Sequence, residues 1–484
     1  MSWYRALGST SAATAVNLVL SLGSSVIVAR LLTPDEIGVF SISVSLLAFA
    51  HILRDFGVGQ YLIQLRDVQR EDVRAGFTVM LCTSMTLALL MVGLAPWAAS
   101  FYAEPRMTAV FYVLALNFAL IPFGAQILSV MKRELAFGSV ARINITASAV
   151  QAAATVAFAY AGQKHLSMAW GSLAGNVVMI SCLFAARPHY AFLRPRFSGL
   201  GKILKFGSQS SLSGIVGRVG SSGPDLVLGK TLGMDAVAQF SRANSLLAMF
   251  AWKVDEILLQ VFGPVFAKGL REGGDARANL RQALQTYSLV QFAILAVLAL
   301  VGPTLITLLF GPQWEAAARL STWLTLWSAI VVPIQLAPAA LMAAGHVGAC
   351  LRANLVSNVA LVAVLFSSAV VSLEQMAWLF IVYRVINLGA WLHPLRQHFD
   401  FTAAQCWQAC RGSLGICALG AAPAAAAEIY LRTSGAPLPA LAHIVALGAV
   451  SVLGIMLALQ FSTHPLRAEM HKAFRLVAHR FAPH

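Results

Sequence analysis

Apolar stretches long enough to cross a bilayer recur from one end of this 484-residue chain to the other, leaving no room for a separate soluble domain. Inside hydrocarbon the backbone must satisfy its own hydrogen bonds, so each stretch of about 20 apolar residues is read as a helix. Windows of about 19 residues place about fourteen such spans. They fall at 6–29, 37–62, 76–100, 107–131, 140–161, 166–186, 206–229, 236–262, 285–310, 317–343, 351–373, 376–395, 410–431 and 439–461. Turn residues separate them at Thr33-Pro34-Asp35, Glu104-Pro105, Gly273-Gly274-Asp275 and Gly435-Ala436-Pro437. Only 11% of residues are charged, whereas a soluble domain carries about a quarter. The expected class is an all-α, multi-pass membrane protein. Residues 1–30 read as a retained first helix, being too long for a signal segment and lacking a small-residue cleavage site.

The net charge of +15 raises the question of an acidic partner. Its distribution answers it. With the N-terminus inside, segments 66–74, 132–142, 187–205, 268–281, 352, 396–411 and 463–484 face the cytoplasm. They hold roughly 22 Lys/Arg against about six in the opposite loops, the bias that marks the cytoplasmic side. Both termini are therefore expected in the cytoplasm. The basic face is expected to meet anionic membrane lipids, and no nucleic acid is called for.

An internal repeat organises the chain. VARLLTPDEIGVFS from Val28 aligns without a gap on LGKTLGMDAVAQFS from Leu228, pairing Arg30 with Lys230, Asp35 with Asp235 and Ser41 with Ser241. Six spans separate the copies, an even number, so the halves run in the same direction: a parallel repeat about an axis along the membrane normal. The expected divisions are a six-helix lobe with its linker over 1–200, a second six-helix lobe over 201–400, and two further helices with a basic tail over 401–484.

Sites of chemistry are not found. Gly229-Lys230-Thr231 resembles the end of a phosphate loop, but Pro224 stands where its first glycine belongs. The six cysteines form no CxxC pair, and Cys406 and Cys410 have no second Cys/His pair at zinc spacing. The eleven histidines are scattered. No catalytic residue, metal ligand or cofactor is expected.

What remains are charges within apolar spans: Arg54, Arg218, Arg242, Lys253 and Arg384, with Asp55, Asp225, Asp255 and Glu256. Each costs about 2.5–3.5 kcal/mol at the centre of a bilayer, so such groups normally face a partner or a wet cavity. Snorkelling is the competing explanation near helix ends, and applies to Lys253, Asp255, Glu256 and Arg54. Arg218 and Asp225, seven apart, share a helical face, as do Arg242 and Lys253, eleven apart. Arg384, Asn387 and Trp391 form another stripe. Guanidinium and ammonium groups suit phosphate oxygens, so the expected cargo is an anion. Arg218, Arg242, Lys253, Arg54 and Arg384 are the substrate-binding candidates. Asp225, Asp55 and Glu256 are candidates for ion pairing or for coupling to H⁺ or Na⁺, an Arg218–Asp225 pair being favoured.

With these residues in view, the chain resembles the bacterial polysaccharide-repeat-unit flippases of O-antigen and exopolysaccharide synthesis. These belong to the multidrug, oligosaccharidyl-lipid and polysaccharide exporter superfamily. VARLLTPDEIGVFSIS, DFGVGQYLIQ, FYAEP and DLVLGKTLGMDAVAQFSRA carry the resemblance, with weaker matches in FGPQWEAAARL and LMAAGHVGACLRAN. It implies two six-helix lobes plus two helices in a bacterial inner membrane, and alternating access of a cationic central cavity. It also implies an undecaprenyl-diphosphate-linked oligosaccharide as cargo, and a polysaccharide polymerase and chain-length regulator as partners. A lipid II flippase, a cation-coupled drug exporter and a membrane glycan polymerase or ligase are the alternatives. The preponderance of basic intramembrane groups argues against the exporter, and the short outside loops argue against the enzyme.

Overall fold

The computed structural model describes residues 3–55, 58, 69–134, 136–190, 193–198, 200–201, 203, 222–367, 372–434 and 439–467. Every regular element among them is helical. Eleven helical segments among the described residues are long and apolar enough to cross a membrane. Large apolar side chains stay exposed along them, Leu89 at 73% and Leu419 at 74%, as surfaces meant for lipid do. The chain is a multi-pass membrane protein. It forms two compact units, 1–238 and 239–484.

The first unit contains α1 (Trp3–Leu31), α2 (Pro34–Asp55), α3 (Arg70–Phe101), α4 (Arg106–Arg133), α5 (Phe137–Tyr160) and α6 (Ser167–Ala186). It ends with α7 (222–231) and the first residues of α8 (Gly233–Leu247). Thr33 starts α2 with a capping box: its hydroxyl accepts from the Glu36 N–H at 3.3 Å, and Glu36 accepts from the Thr33 N–H at 3.1 Å. Pro34 takes the first helical position, where its missing N–H costs nothing.

The segment 222–238 runs antiparallel to α2. Ser45 Oγ donates to Asp225 Oδ2 at 2.7 Å, Gly229 lies against Ile42, and Gly38 lies against the backbone of Met234. Each step forward in α2 thus meets a step back in the partner. The start of the second repeat copy folds with the first unit, and the compact units divide at 238/239. The cause is this close backbone approach, which only a residue without a Cβ permits at position 38.

The second unit holds the rest of α8, a π turn over Ala248–Trp252, α9 (Lys253–Arg271), α10 (Ala276–Phe310), α11 (Glu315–Val331) and α12 (Ala337–Ala343). It is completed by α13 (Val347–Leu365), α14 (Leu373–Phe399), α15 (Ala403–Ser434) and α16 (Ala440–Gln460). The long α10 is the hub, packing against α9, α11, α15 and α16. The two last helices are thus part of this unit. Ser413 of α15 receives the Ser288 hydroxyl at 2.9 Å, and the buried His464 ring lies 3.2 Å from Ser413 Oγ, tying the chain after α16 to α10.

One expected span lies mostly outside the described residues, and two differ from what is found. The span at 206–229 lies outside the described residues except for its end. The one at 236–262 is a continuous helix over 233–271, interrupted by the π turn. The one at 317–343 breaks at Val332–Ile334, where Pro333 supplies no backbone donor and the helix tightens before α12.

Candidate functional site

Both irregularities of the second unit border the same cavity of about 420 Å³. Its polar lining comes from Asp255 and Glu256 of α9, Tyr287 and Gln291 of α10, Ser328 of α11, Gln335 after the helix break, and Arg384 of α14. The Asp255 carboxylate is the centre of its hydrogen bonding. Tyr287 Oη and Gln291 Nε2 both donate to Oδ1, and Gln335 Nε2 approaches Oδ2 at 3.5 Å. Gln291 also donates to the Ala251 carbonyl at 3.2 Å, within the π turn. An α-helix widened to a π turn shifts its carbonyls away from their usual partners, and a side-chain amide takes up one of them here.

Arg384 stands at the middle of α14, about 17 Å from its N-terminal end at about 1.5 Å per residue. Its guanidinium lies 5.3 Å from the Tyr383 ring, and its Nε is buried without a hydrogen-bond partner. A buried donor in this condition has unspent capacity for an acceptor. Arg384 is the one Lys or Arg among the described residues lining the cavity. Glu256 is offset by Lys253, whose Nζ lies 2.8 Å away, so Arg384 and Asp255 leave the lining close to neutral.

The other candidates lie elsewhere. Arg242 stacks over Phe310 at 4.4 Å and Trp314 at 4.8 Å, at the corner between α10 and α11. Gln239 clamps the same corner, donating to the Gln313 carbonyl at 3.0 Å and accepting from the Ala317 N–H at 2.9 Å. Lys253, with a side chain 58% exposed, pairs with Glu256. The face expected to join Arg242 and Lys253 is lost because the π turn between them adds a residue, about 100° of rotation.

Arg54 is buried in the first unit, 5.3 Å from the Phe118 ring, and its carbonyl accepts from Thr83 Oγ1 at 3.2 Å. Asp225, also in that unit, accepts from Ser45. Arg218, and with it the expected Arg218–Asp225 pair, lies outside the described residues, as does the side chain of Asp55.

Sequence reasoning missed Tyr287, Gln291 and Gln335. Their signal was present: Tyr287 and Gln291 are one helical turn apart in an apolar span, and Gln335 follows Pro333 in another. Polar groups so placed need partners in hydrocarbon.

A second charged cluster ties together three corners of the first unit. Arg106 Nη2 lies 2.6 Å from both Asp35 Oδ2 and Glu104 Oε2, its Nε donates to Glu104 Oε1 at 2.7 Å, and Lys164 lies 3.9 Å from Glu36. Hydrogen bonds from Arg106 hold the Glu104 carboxyl below its ordinary value near 4.5, against the opposing effect of burial. A lowered value stabilises the folded state above the ordinary pKa, and that contribution fades as pH falls through the folded one. Arg106 is partly exposed, so Glu104→Gln is expected to cost about 1 kcal/mol at neutral pH. The gap between the unfolding midpoints of wild type and variant should close as pH drops below about 4.5. A gap independent of pH would show that the carboxylate charge is not what matters.

The family model and the curated relatives point to polysaccharide biosynthesis. The family model described as "Polysaccharide biosynthesis protein" matches residues 27–319. Among curated proteins, the chain is 24% identical over 356 residues to the teichuronic acid biosynthesis protein TuaB of Bacillus subtilis (strain 168), covering 71% of this chain and 72% of that one. It is 24% identical over 373 residues to the succinoglycan biosynthesis transport protein ExoT of Rhizobium meliloti (strain 1021), covering 75% and 74%. Among solved structures, the lipid II flippase MurJ in an inward closed conformation superposes with a TM-score of 0.72 at 11% identity, covering 93% of this chain and 97% of that one. At that identity the likeness concerns the fold.

Proposed function

Because the chain belongs to the polysaccharide biosynthesis protein family, we propose that it moves lipid-linked oligosaccharide repeat units across a bacterial inner membrane. The cargo is an oligosaccharide joined to undecaprenol through a diphosphate, carried from the cytoplasmic to the periplasmic leaflet for assembly into an exported polysaccharide. The work is transport: no covalent bond is made or broken. A polymerase and a chain-length regulator are the partners that consume the cargo.

The observation that carries this reading is the Arg384 guanidinium at mid-helix, bordering a cavity with a donor to spare. A planar, permanently charged fork at that depth suits the oxygens of a diphosphate. Arg54, Arg218 and Arg242 stay candidates on their sequence placement alone, as positive charges within apolar spans, while Lys253 is offset by Glu256. Fourteen crossings, the number that the apolar spans of the sequence give, leave both termini on one side of the membrane, assigned here to the cytoplasm. The Lys/Arg bias of the loops supports that orientation.

An inside-negative potential favours outward movement of an anion by about 2.3 kcal/mol per charge per 100 mV. H⁺ or Na⁺ coupling is the alternative drive. Deleting the gene should leave lipid-linked repeat units in the cytoplasmic leaflet and stop surface polymer, with restoration by the wild-type chain. Unchanged polymer in the deletion strain would overturn the assignment.

One observation favours a second reading. Asp255 and Glu256 border the same cavity, and carboxylates suit an organic cation. A drug exporter would lose cation efflux on Asp255→Asn and keep it on Arg384→Ala; a flippase would show no cation efflux in either.

A further inference from the structure

Asp255 is the most heavily solvated side chain of the cavity, and it is solvated by protein. Tyr287, Gln291 and Gln335 come from two separate stretches of chain, and all three aim donors at it. An ionised carboxylate accepts only, as phosphoryl oxygens do, so the same donors suit either anion. A hydroxyl or amide N–H points to one acceptor at a time. The three donors and the spare Arg384 Nε therefore make one anion cradle, and the protein's own carboxylate already holds three of its four members.

The charge count agrees. Glu256 is paired with Lys253, so Asp255 is what cancels Arg384 in the lining.

We propose that Asp255 is a built-in competitor of the cargo's diphosphate, holding the cavity's donors, yielding them as the diphosphate enters, and keeping its affinity low enough for release. This rests on the diphosphate reading of the Arg384 cavity and adds the device that limits binding. A cargo bound by four uncontested donors would stay where it bound. With a carboxylate a few ångströms away, like-charge repulsion opposes residence, and the recaptured donors favour departure. Tyr287, Gln291 and Gln335 are then cargo contacts, and Asp255 is a release residue. A purely structural Asp255, pinning α9 to α10, would have no such effect on affinity.

The test uses the full-length protein purified in detergent, titrated with inorganic pyrophosphate and with farnesyl diphosphate. Asp255→Asn keeps the size and an acceptor oxygen but removes the charge. It should bind both probes about tenfold or more tighter than wild type, while polymer output in cells falls. Tyr287→Phe removes a donor and should weaken binding by about threefold or more, and it decides the matter should Asp255→Asn fail to fold.

Binding by Asp255→Asn equal to or weaker than wild type overturns the inference, as does wild-type binding by Tyr287→Phe. The diphosphate reading of the cavity survives either result provided Arg384→Ala loses binding. If Arg384→Ala binds as wild type does, that reading itself falls. No binding by any of the four proteins overturns both.

Discussion

Replacing Arg384 with alanine should abolish surface polysaccharide while the protein still reaches the membrane in normal amount. Arginine at the middle of a span opposes insertion by about 2.5–3.5 kcal/mol, so its removal makes α14 a better membrane helix. Losing charge-assisted hydrogen bonds to a diphosphate at this site should cost about 3 kcal/mol, or about 100-fold in affinity. Lysine at 384 keeps the charge but not the planar fork and should restore only part of the output. Polymer quantified from a deletion strain carrying each variant, alongside the membrane level of each protein, gives the answer. Full output from Arg384→Ala at wild-type protein level would remove Arg384 from the transport route.

A large loss of stability is expected at Gly38. A Cβ built there overlaps the carbonyl of Met234, so Gly38→Val forces α2 away from the start of α8. Backbone cannot yield as a flexible side chain does, and the cost should be about 3 kcal/mol or more. Gly93 of α3 is the control, since a Cβ there meets nothing within 4 Å. The thermal midpoint in detergent should fall sharply for Gly38→Val and little for Gly93→Val. Equal midpoints would mean that the crossing of α2 with 222–238 contributes nothing to the stability of the unit.

Much of the fold was legible because a bilayer imposes simple demands. Runs of apolar length became helices, and the corner after α1 could be read from Thr33, Pro34 and Glu36, whose capping box forms within four residues. The alignment of Val28–Ser41 with Leu228–Ser241 pointed to the segments on either side of the closest backbone approach in the first unit. That the start of the second copy would fold back onto α2 depends on contact between residues nearly two hundred positions apart, and no local pattern encodes it.

The candidate site divided along the same line. Polarity within an apolar run marked Arg384, Asp255 and Glu256, because an intramembrane charge is visible from its neighbours alone. The same signal marked Arg242, which the structure stacks on Phe310 and Trp314 instead. Helical phase from 242 to 253 assumed an unbroken α-helix, and a π turn depends on what packs around it.

By itself the amino-acid sequence determined the membrane class, the helical elements, the caps and which residues carry charge into the apolar spans, because these follow from local hydrogen bonding and transfer out of water. Only the tertiary structure decided which of those charges share a cavity and that Tyr287, Gln291 and Gln335 surround Asp255. Such groupings arise from the packing of α9, α10, α14 and the break after α11, segments that meet in space and not along the chain.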